Sequence, residues 1–230
     1  MTEDSGNQGS LVDSFSGDRV PVLTAELVKV VPAVYKRPAN LNIPVILSCF
    51  WNMCPSRSDS DIRLFLDRAA YVLSTAEGES GFGRYMVELW GPTEYQKKYE
   101  GHKGLGNTEP GDGFRFRGRG FCQLTGRTNY KRWSEMLGVD LINNPDLLTN
   151  PELAAKVMII GMRDGLFTGV RLSRYVSESM VDYYNSRRVI NGTFRAEQFA
   201  QSAVRYRRVL YEHFGTSILI EAITEKTSPR

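Results

Sequence analysis

An apolar stripe with the period of an α-helix is the feature that most constrains the fold of this chain. It follows the polar run 56–61, and its members recur at i, i+3 and i+4 spacing. Ser58 with Asp61 three residues later fits a capping box, and Gly78 is the expected stop signal. The segment is therefore predicted to be an amphipathic helix. The stripe consists of Ile62, Phe65, Leu66, Ala69, Leu73 and Ala76.

Further helix signals occur along the chain, whereas strand signals are scarce. Asn150 as N-cap, followed by Pro151 at the first helical position, predicts a second helix. The best strand candidate is the alternating run 114–117, Phe-Arg-Phe-Arg. Other helices are predicted from about residue 195 to 214, at 22–31 and at 129–137. The fold class is therefore mainly α, with a small β-hairpin.

Length and composition favour one globular domain. The chain has 230 residues, 41% of them hydrophobic and 24% charged, which excludes a disordered chain, a collagen or a coiled coil. Residues 1–19 are rich in Ser, Gly, Asp and Asn and predict a flexible N-terminal arm, with a single domain over 20–230. No apolar run reaches the roughly 20 residues of a membrane-spanning helix. Stable membrane insertion is therefore not expected.

Charge and cysteine usage narrow the classes of function. The formal net charge of +3 is too small to indicate a nucleic-acid-binding protein, so no nucleic-acid partner is expected. Three cysteines do not make a disulfide framework, which favours folding in a reducing cytoplasm. Cys49 and Cys54 with His102 lack the remaining ligands of a zinc site, so no metal is expected. The N-terminus has neither the basic nor the apolar region of a secretory signal.

Two glutamates are candidates for acid–base chemistry. Glu79 lies near the end of the predicted helix and close to Phe82, and both surroundings raise the pKa of a carboxyl group. Glu88 follows nine residues later, and glycosidic bond hydrolysis requires two carboxyl groups that flank the scissile bond. The alternatives are a solvated loop for Glu79 with its neighbour Glu77, and a surface acid for Glu88.

A glycine-rich block over 118–130 offers neutral polar groups. Gln123, Thr125, Asn129 and Tyr130 supply amides, a hydroxyl and an aromatic ring, which suit sugar hydroxyls and N-acetyl groups. The block has no P-loop pattern. Its alternative interpretation is a structural turn before a helix, and the arginines at 115, 117 and 119 are interpreted as a solvated strand face.

Ordered motifs along the chain resemble the family 19 glycoside hydrolases, in particular their phage endolysin and bacterial branch. The resemblance covers about residues 61–214. The motifs are Ala76-Glu77-Gly78-Glu79-Ser80-x-Phe82, Leu105-Gly106-Asn107-Thr108-x-Pro110-Gly111-Asp112-Gly113, Phe116-x-Gly118-Arg119-Gly120-Phe121-x-Gln123-Leu124-Thr125-Gly126-Arg127-x-Asn129-Tyr130, Leu141-x-Asn143-Asn144-Pro145-Asp146-Leu147 and Arg187-Arg188-Val189-Ile190-Asn191-Gly192.

The resemblance implies an enzyme, a fold and a set of site residues. It implies a lysozyme-like, two-lobed α (α+β) fold with a cleft between the lobes, inversion at the anomeric carbon and no cofactor. Glu79 takes the place of the general acid and Glu88 that of the base that activates water. Sugar-binding and water-positioning roles fall on Gln123, Thr125, Asn129 and Asn191.

Two aromatic residues and two departures from the family pattern complete the prediction. Tyr130 and Trp90 either stack on sugar rings or pack within the protein. Family members commonly have His where this chain has Gly78, and some phage enzymes have Ser or Thr where it has Trp90. A catalytically impaired protein that binds glycan or builds a phage tail is therefore the alternative function.

The expected substrate is an N-acetylated glycan, with bacterial peptidoglycan favoured over chitin. The expected role is that of an endolysin that collects in the host cytoplasm and reaches the periplasm and cell wall at lysis. A lysozyme carried in the virion, with phage tail proteins as partners, is the alternative location.

Overall fold

The computed structural model describes residues 19–53 and 59–214, and this part of the chain is mainly helical. The helices are α1 Arg19–Lys29, α2 Lys36–Met53, α3 Asp59–Ser80, α4 Glu94–Lys97, α5 Asp112–Arg115, α6 Arg127–Leu137, α7 Pro151–Asp164, α8 Tyr183–Ser186 and α9 Ala196–His213. Short 3₁₀ turns lie at Ala33–Tyr35, Lys103–Leu105, Pro145–Thr149, Leu172–Arg174 and Arg187–Val189. Strands β1 Val176–Ser177 and β2 Met180–Val181 form an antiparallel hairpin. The predicted mainly α class with a small hairpin is confirmed.

The core is built on the pairing of α3 with α9. The predicted stripe of α3 is buried along its whole length, from Ile62 to Ala76, and Phe199 and Tyr206 of α9 are buried against the same core. Helices α1 and α8 also pack on α9, and α2 packs on α7. Helix α3 also contacts α2 and β1, and its C-terminal end carries Glu79.

Most of the predicted helices are confirmed. The Asn150 side chain accepts a hydrogen bond from the Leu153 amide at 3.0 Å, as an N-cap residue does. Helices α1, α6 and α9 occupy the predicted segments, and Gly138 ends α6 in the left-handed conformation. The predicted arm, apart from Arg19, lies outside the described residues, as do Ser58 of the capping box, Cys54 and residues 215–230.

The predicted stop of α3 at Gly78 is wrong, because the helix continues to Ser80. Gly81, with a φ of +58°, follows the last helical residue, and its amide bonds the Glu77 carbonyl at 2.9 Å. This is the position at which a left-handed glycine commonly ends a helix. Gly78 has another role: a Cβ there would lie 2.4 Å from two atoms of the Phe199 ring. The glycine lets α9 approach α3.

Replacement of Gly78 by Ala is expected to lower the free energy of unfolding. The Phe199 ring is buried and lies against the Arg187 guanidinium, and overpacking of this kind costs about 1–3 kcal/mol, against about 1 kcal/mol that Ala gains over Gly in a helix. Urea unfolding measures the difference. The double variant Gly78→Ala/Phe199→Leu should recover part of the loss, and additive effects of the two substitutions would contradict the predicted contact.

The strand predicted over 114–117 is also wrong. Phe114 and Arg115 lie in helix α5, and Phe114 is half exposed whereas Phe116 is buried, so the two phenylalanines do not share a strand face. The Glu100 carboxylate accepts hydrogen bonds from the amides of Gly111 and Gly113 at 2.6 and 2.8 Å. A carboxylate supplied from elsewhere in the chain satisfies the amides at the helix start, which local sequence does not reveal.

Candidate active site

An open cleft of about 660 Å³ collects most of the predicted site residues. Helix α3 contributes Glu79, and the remaining lining comes from well-separated stretches of the chain. The lining residues are Glu79, Glu88, Tyr95, Lys98, Tyr99, His102, Leu105, Gly118, Cys122, Gln123, Leu124, Thr125, Asn129, Phe167, Ile190 and Asn191. The structure therefore brings together Glu79, Glu88, Gln123, Thr125, Asn129 and Asn191, as predicted.

Glu79 lies in the last turn of α3, with its side chain only 17% exposed. Burial raises the pKa of its carboxyl group, and the Arg187 guanidinium, whose Nη1 lies 2.6 Å from Glu79 Oε1, acts in the opposite direction. Burial is the larger of the two influences. The sequence also predicted a raised pKa for Glu79, although the main cause is burial rather than the helix end. Glu79 therefore retains a proton to a higher pH than an exposed glutamate.

Glu88 lies where two segments pair as in a β-bridge. Its amide donates to the Gly118 carbonyl at 2.8 Å, and the Gly118 amide donates to Glu88 Oε2 at 3.0 Å. Its other carboxylate oxygen accepts from Gln96 Nε2 at 3.0 Å and from the Tyr99 hydroxyl at 3.4 Å. Three hydrogen bonds hold the carboxylate, and the fourth fixes the backbone of Glu88. These donors hold the carboxylate in one orientation at the cleft.

Glu77, the other glutamate of the sequence cluster, has a structural place. Its carboxylate accepts hydrogen bonds from Ser202, Arg205 and Tyr206, all on helix α9. It is buried between the two helices and does not line the cleft. The alternative of a solvated loop with two surface glutamates is therefore wrong at both positions.

The neutral polar wall is formed by the turn before α6. Gln123 has a φ of +53°, and its Nε2 donates to the carbonyl groups of Tyr85 and Gly120. Thr125 Oγ1 donates to the Gln123 carbonyl, and Asn129 Nδ2 donates to the Thr125 carbonyl at 2.7 Å. These bonds use donor groups of all three side chains. The side chains are held in fixed orientations at the cleft.

Tyr130 does not reach the cleft, so the prediction that it binds substrate is corrected. Its ring is completely buried, and its hydroxyl donates to the Arg117 carbonyl and accepts from Arg119. Tyr130 therefore packs within the protein, which was the alternative to stacking on a sugar ring. Trp90 is half-buried between the rings of Phe114 and Tyr99 and is absent from the cleft lining.

Sequence reasoning missed three residues that control the two carboxyl groups. Arg187 lies within the motif 187–192, where only Asn191 was assigned a role, and its guanidinium is 4% exposed and stacks over the Phe199 ring at 4.2 Å. Gln96 and Tyr99 lie in a segment that no motif covered. The available signal for Gln96 was the capping box that it forms with Thr93 at the start of α4. Nothing in the sequence points from these residues to Glu79 or Glu88.

The described residues offer no obvious metal centre. Within 19–53 and 59–214, no three His, Cys, Asp or Glu side chains converge in a way that would hold a metal ion. Cys49 and Cys122 are free thiols, and burial raises the pKa of Cys122 to about 12. The same described segments contain no helix with the length and hydropathy that a bilayer crossing requires.

Comparison with solved structures places this fold among the chitinases. Chitinase C from Streptomyces griseus superposes with a TM-score of 0.58 at 21% identity, over 85% of this chain and 92% of that one. A bacterial family 19 chitinase superposes with a TM-score of 0.53 at 20% identity, over 83% of this chain and 93% of that one. The chain has the fold of the family 19 chitinases.

Sequence comparison points to the same family through a shorter region. A glycosyl hydrolase family 19 domain-containing protein of Haemophilus influenzae is 31% identical over 86 residues, which are 34% of this chain and 42% of that protein. The match spans less than half the length of this curated relative. No family model matches the chain. With the structural likeness, this match confirms the resemblance to the family 19 glycoside hydrolases, whereas the phage branch stays a prediction.

Replacement of Arg187 by Gln is expected to move the alkaline limb of the pH–activity profile to higher pH. The arginine lowers the pKa of Glu79 against the effect of burial, so its removal lets that pKa rise further, and an acid catalyst then stays protonated at higher pH. The measurement is kcat/KM as a function of pH on a soluble oligosaccharide. Arg188→Gln removes the same charge from the exposed neighbour and serves as control. An unchanged limb in Arg187→Gln would contradict the coupling.

Proposed function

We propose that this protein is a glycoside hydrolase that cleaves β-1,4 linkages of an N-acetylated glycan by single displacement. The observation that carries the proposal is one open cleft lined by two carboxyl groups in opposite surroundings. Burial raises the pKa of Glu79, whereas Glu88 has its oxygens surrounded by hydrogen-bond donors. A carboxyl group that retains its proton and a second carboxyl group fixed in the same cleft are the two groups that hydrolysis of a glycosidic bond requires.

In the proposed reaction, Glu79 donates its proton to the glycosidic oxygen as the bond from that oxygen to the anomeric carbon breaks. Glu88 accepts a proton from a water molecule whose oxygen bonds to the anomeric carbon from the opposite face. The configuration at that carbon is inverted, and the geometry requires the two carboxyl groups about 6.5–9.5 Å apart. Thr125 and Asn129 orient the water and the substrate, and Gln123 and Asn191 bind sugar groups. No step uses a cofactor or a metal.

Bacterial peptidoglycan is the proposed substrate, and an endolysin is the proposed role. Lys98 lines the cleft, and its ammonium group suits the carboxylates of peptidoglycan stem peptides, whereas chitin is uncharged. The protein would collect in the host cytoplasm and reach the periplasm and wall when the inner membrane is permeabilised. Detection of the protein in purified phage particles would instead favour the virion-borne alternative and a contact with tail proteins.

The test is hydrolysis of purified peptidoglycan and of chitin oligomers by the full chain. Release of reducing ends with inverted anomeric configuration at early times, followed by NMR, is the expected result. Mass spectrometry of defined muropeptides would identify the bond that is cut. Binding to either polymer without release of reducing ends would overturn the proposal in favour of a catalytically impaired glycan-binding protein.

A further inference from the structure

We propose that a row of four aromatic rings extends the glycan-binding surface beyond the cleft, so that the protein prefers long polysaccharide chains. The row consists of Tyr95, Tyr99, Trp90 and Phe114. The inference rests on the proposed function, and it adds a binding surface for further sugar units of the same chain. Trp90 is the one ring of the four for which the sequence also suggested sugar stacking, and no motif gives Tyr95, Tyr99 or Phe114 such a role.

The rings form one continuous chain of contacts. The centroids of Tyr95 and Tyr99 lie 5.5 Å apart, those of Tyr99 and Trp90 6.3 Å apart, and those of Trp90 and Phe114 5.5 Å apart. Tyr95 and Tyr99 line the cleft, whereas Trp90 and Phe114 do not. The row therefore begins inside the cleft and leaves it.

The row is anchored at the proposed base. The Tyr99 hydroxyl donates to Glu88, and Gln96 bonds both Glu88 and the Leu89 carbonyl. Asn107 Nδ2 donates to the Tyr99 carbonyl at 2.9 Å. The segment that carries the rings is thus tied to the carboxylate, so a glycan in register with Glu88 is also in register with the row.

The two ends of the row are exposed although they are aromatic. Tyr95 is 68% exposed and Phe114 50%, whereas Trp90 and Tyr99 between them are half-buried. Contiguous exposed apolar surface of this kind marks a binding site more often than a stable free surface. The rings hold one another by edge contacts, so little conformational freedom is lost when a ligand binds.

A sugar chain is the occupant that this surface fits. The faces of a pyranose ring carry C–H groups that pack on aromatic rings, and the tyrosine hydroxyls offer polar partners at the cleft end. The Arg117 guanidinium lies 4.0 Å from the centroid of the Phe114 ring and covers one of its faces, so a sugar at the outer end packs on the other face. Binding of an apolar peptide or a lipid would not require the aromatic row to continue from the cleft. The experiment below separates these ligands from a sugar chain.

The experiment compares Phe114→Ala with the wild-type protein on N-acetylglucosamine oligomers of increasing length and on purified peptidoglycan. The variant should lose about three- to tenfold in kcat/KM on the polymer and on long oligomers, mainly through KM, and little on oligomers short enough to fit the cleft. Phe114→Leu keeps the apolar bulk without the flat face and should behave as Phe114→Ala. Tyr184→Ala, which removes a 46% exposed ring in α8, is the control.

Losses that are equal on short and long substrates, or no loss on either, would overturn the inference. The proposed function would still stand in both cases, because the wild-type protein cleaves the glycan. If the wild-type protein cleaves nothing, co-sedimentation with peptidoglycan decides: weaker binding of Phe114→Ala supports the row, and equal binding overturns it. If the same variants lose binding to lipid vesicles but keep binding to glycan, the inference is overturned in favour of a lipid ligand.

Discussion

Replacement of Glu79 by Gln is expected to lower kcat on peptidoglycan by at least about 10²-fold. General acid assistance supplies roughly 10²–10⁴-fold in typical enzymes, and an amide has no proton to give at neutral pH. The amide oxygen still faces Arg187, whose Nη1 lies 2.6 Å from Glu79 Oε1, so the side chain keeps its place. The effect should fall on kcat rather than on KM, because the proton is transferred only in the transition state.

The matched control is Glu94→Gln, the same substitution at an exposed glutamate of α4 that pairs with Lys97. It should leave kcat unchanged. Because Arg187 is buried, loss of its charged partner also costs stability, and thermal unfolding of Glu79→Gln must show that the protein is folded at the assay temperature. Near-full lytic activity of folded Glu79→Gln would show that Glu79 is not the acid.

The helical framework was predictable from the sequence because its signals are local. The spacing of the apolar residues in α3 and the Asn150–Pro151 start of α7 depend on residues within one or two turns. The predicted stop at Gly78 failed for a reason of tertiary packing. That glycine accommodates the Phe199 ring, which arrives from a helix 121 positions further along the chain, and no local pattern reports such a contact.

The site was predictable only in part, for the same reason. The residues taken from motifs, such as Gln123 and Asn191, do line the cleft, but the partners of the two carboxyl groups come from elsewhere in the chain. Arg187 reaches Glu79 from across the fold. Tyr130 shows the opposite failure: its motif position suggests a sugar contact, yet a ring in that position fills the core. A motif names residue types, whereas packing decides which of them face the cleft.

The position that carries His in many family members shows how packing and chemistry are linked here. The Phe199 ring lies where a side chain at Gly78 would begin, and the same ring supports the Arg187 guanidinium at 4.2 Å. That guanidinium is the charged partner of Glu79. The cation next to the proposed acid thus comes from another segment of the chain, and Phe199 holds it in place.

Replacement of Glu88 by Ala is expected to lower kcat by about 10²–10⁴-fold, because the attacking water loses the group that takes its proton. Alanine is preferable to glutamine here. Both carboxylate oxygens accept hydrogen bonds from N–H donors, Gly118 N and Gln96 Nε2, so an amide nitrogen would face a donor in either orientation. Alanine leaves both donors free to bond water from the open cleft, whereas glutamine would place a donor against a donor at a cost of about 1–3 kcal/mol of stability.

The alanine variant also permits a positive test of the mechanism. It opens space beside the anomeric carbon, so an added small anion such as azide should attack there without needing a base, while Glu79 still protonates the leaving oxygen. Rescue by azide in Glu88→Ala, with a glycosyl azide of inverted configuration as product, is the expected result by NMR. The double variant Glu79→Gln/Glu88→Ala should not be rescued on a substrate whose leaving oxygen needs protonation. A glycosyl azide of retained configuration would show that a group other than Glu88 forms a covalent intermediate, and full activity without azide would remove Glu88 from the chemistry. The anomeric configuration of the sugar that the wild-type protein releases separates single from double displacement.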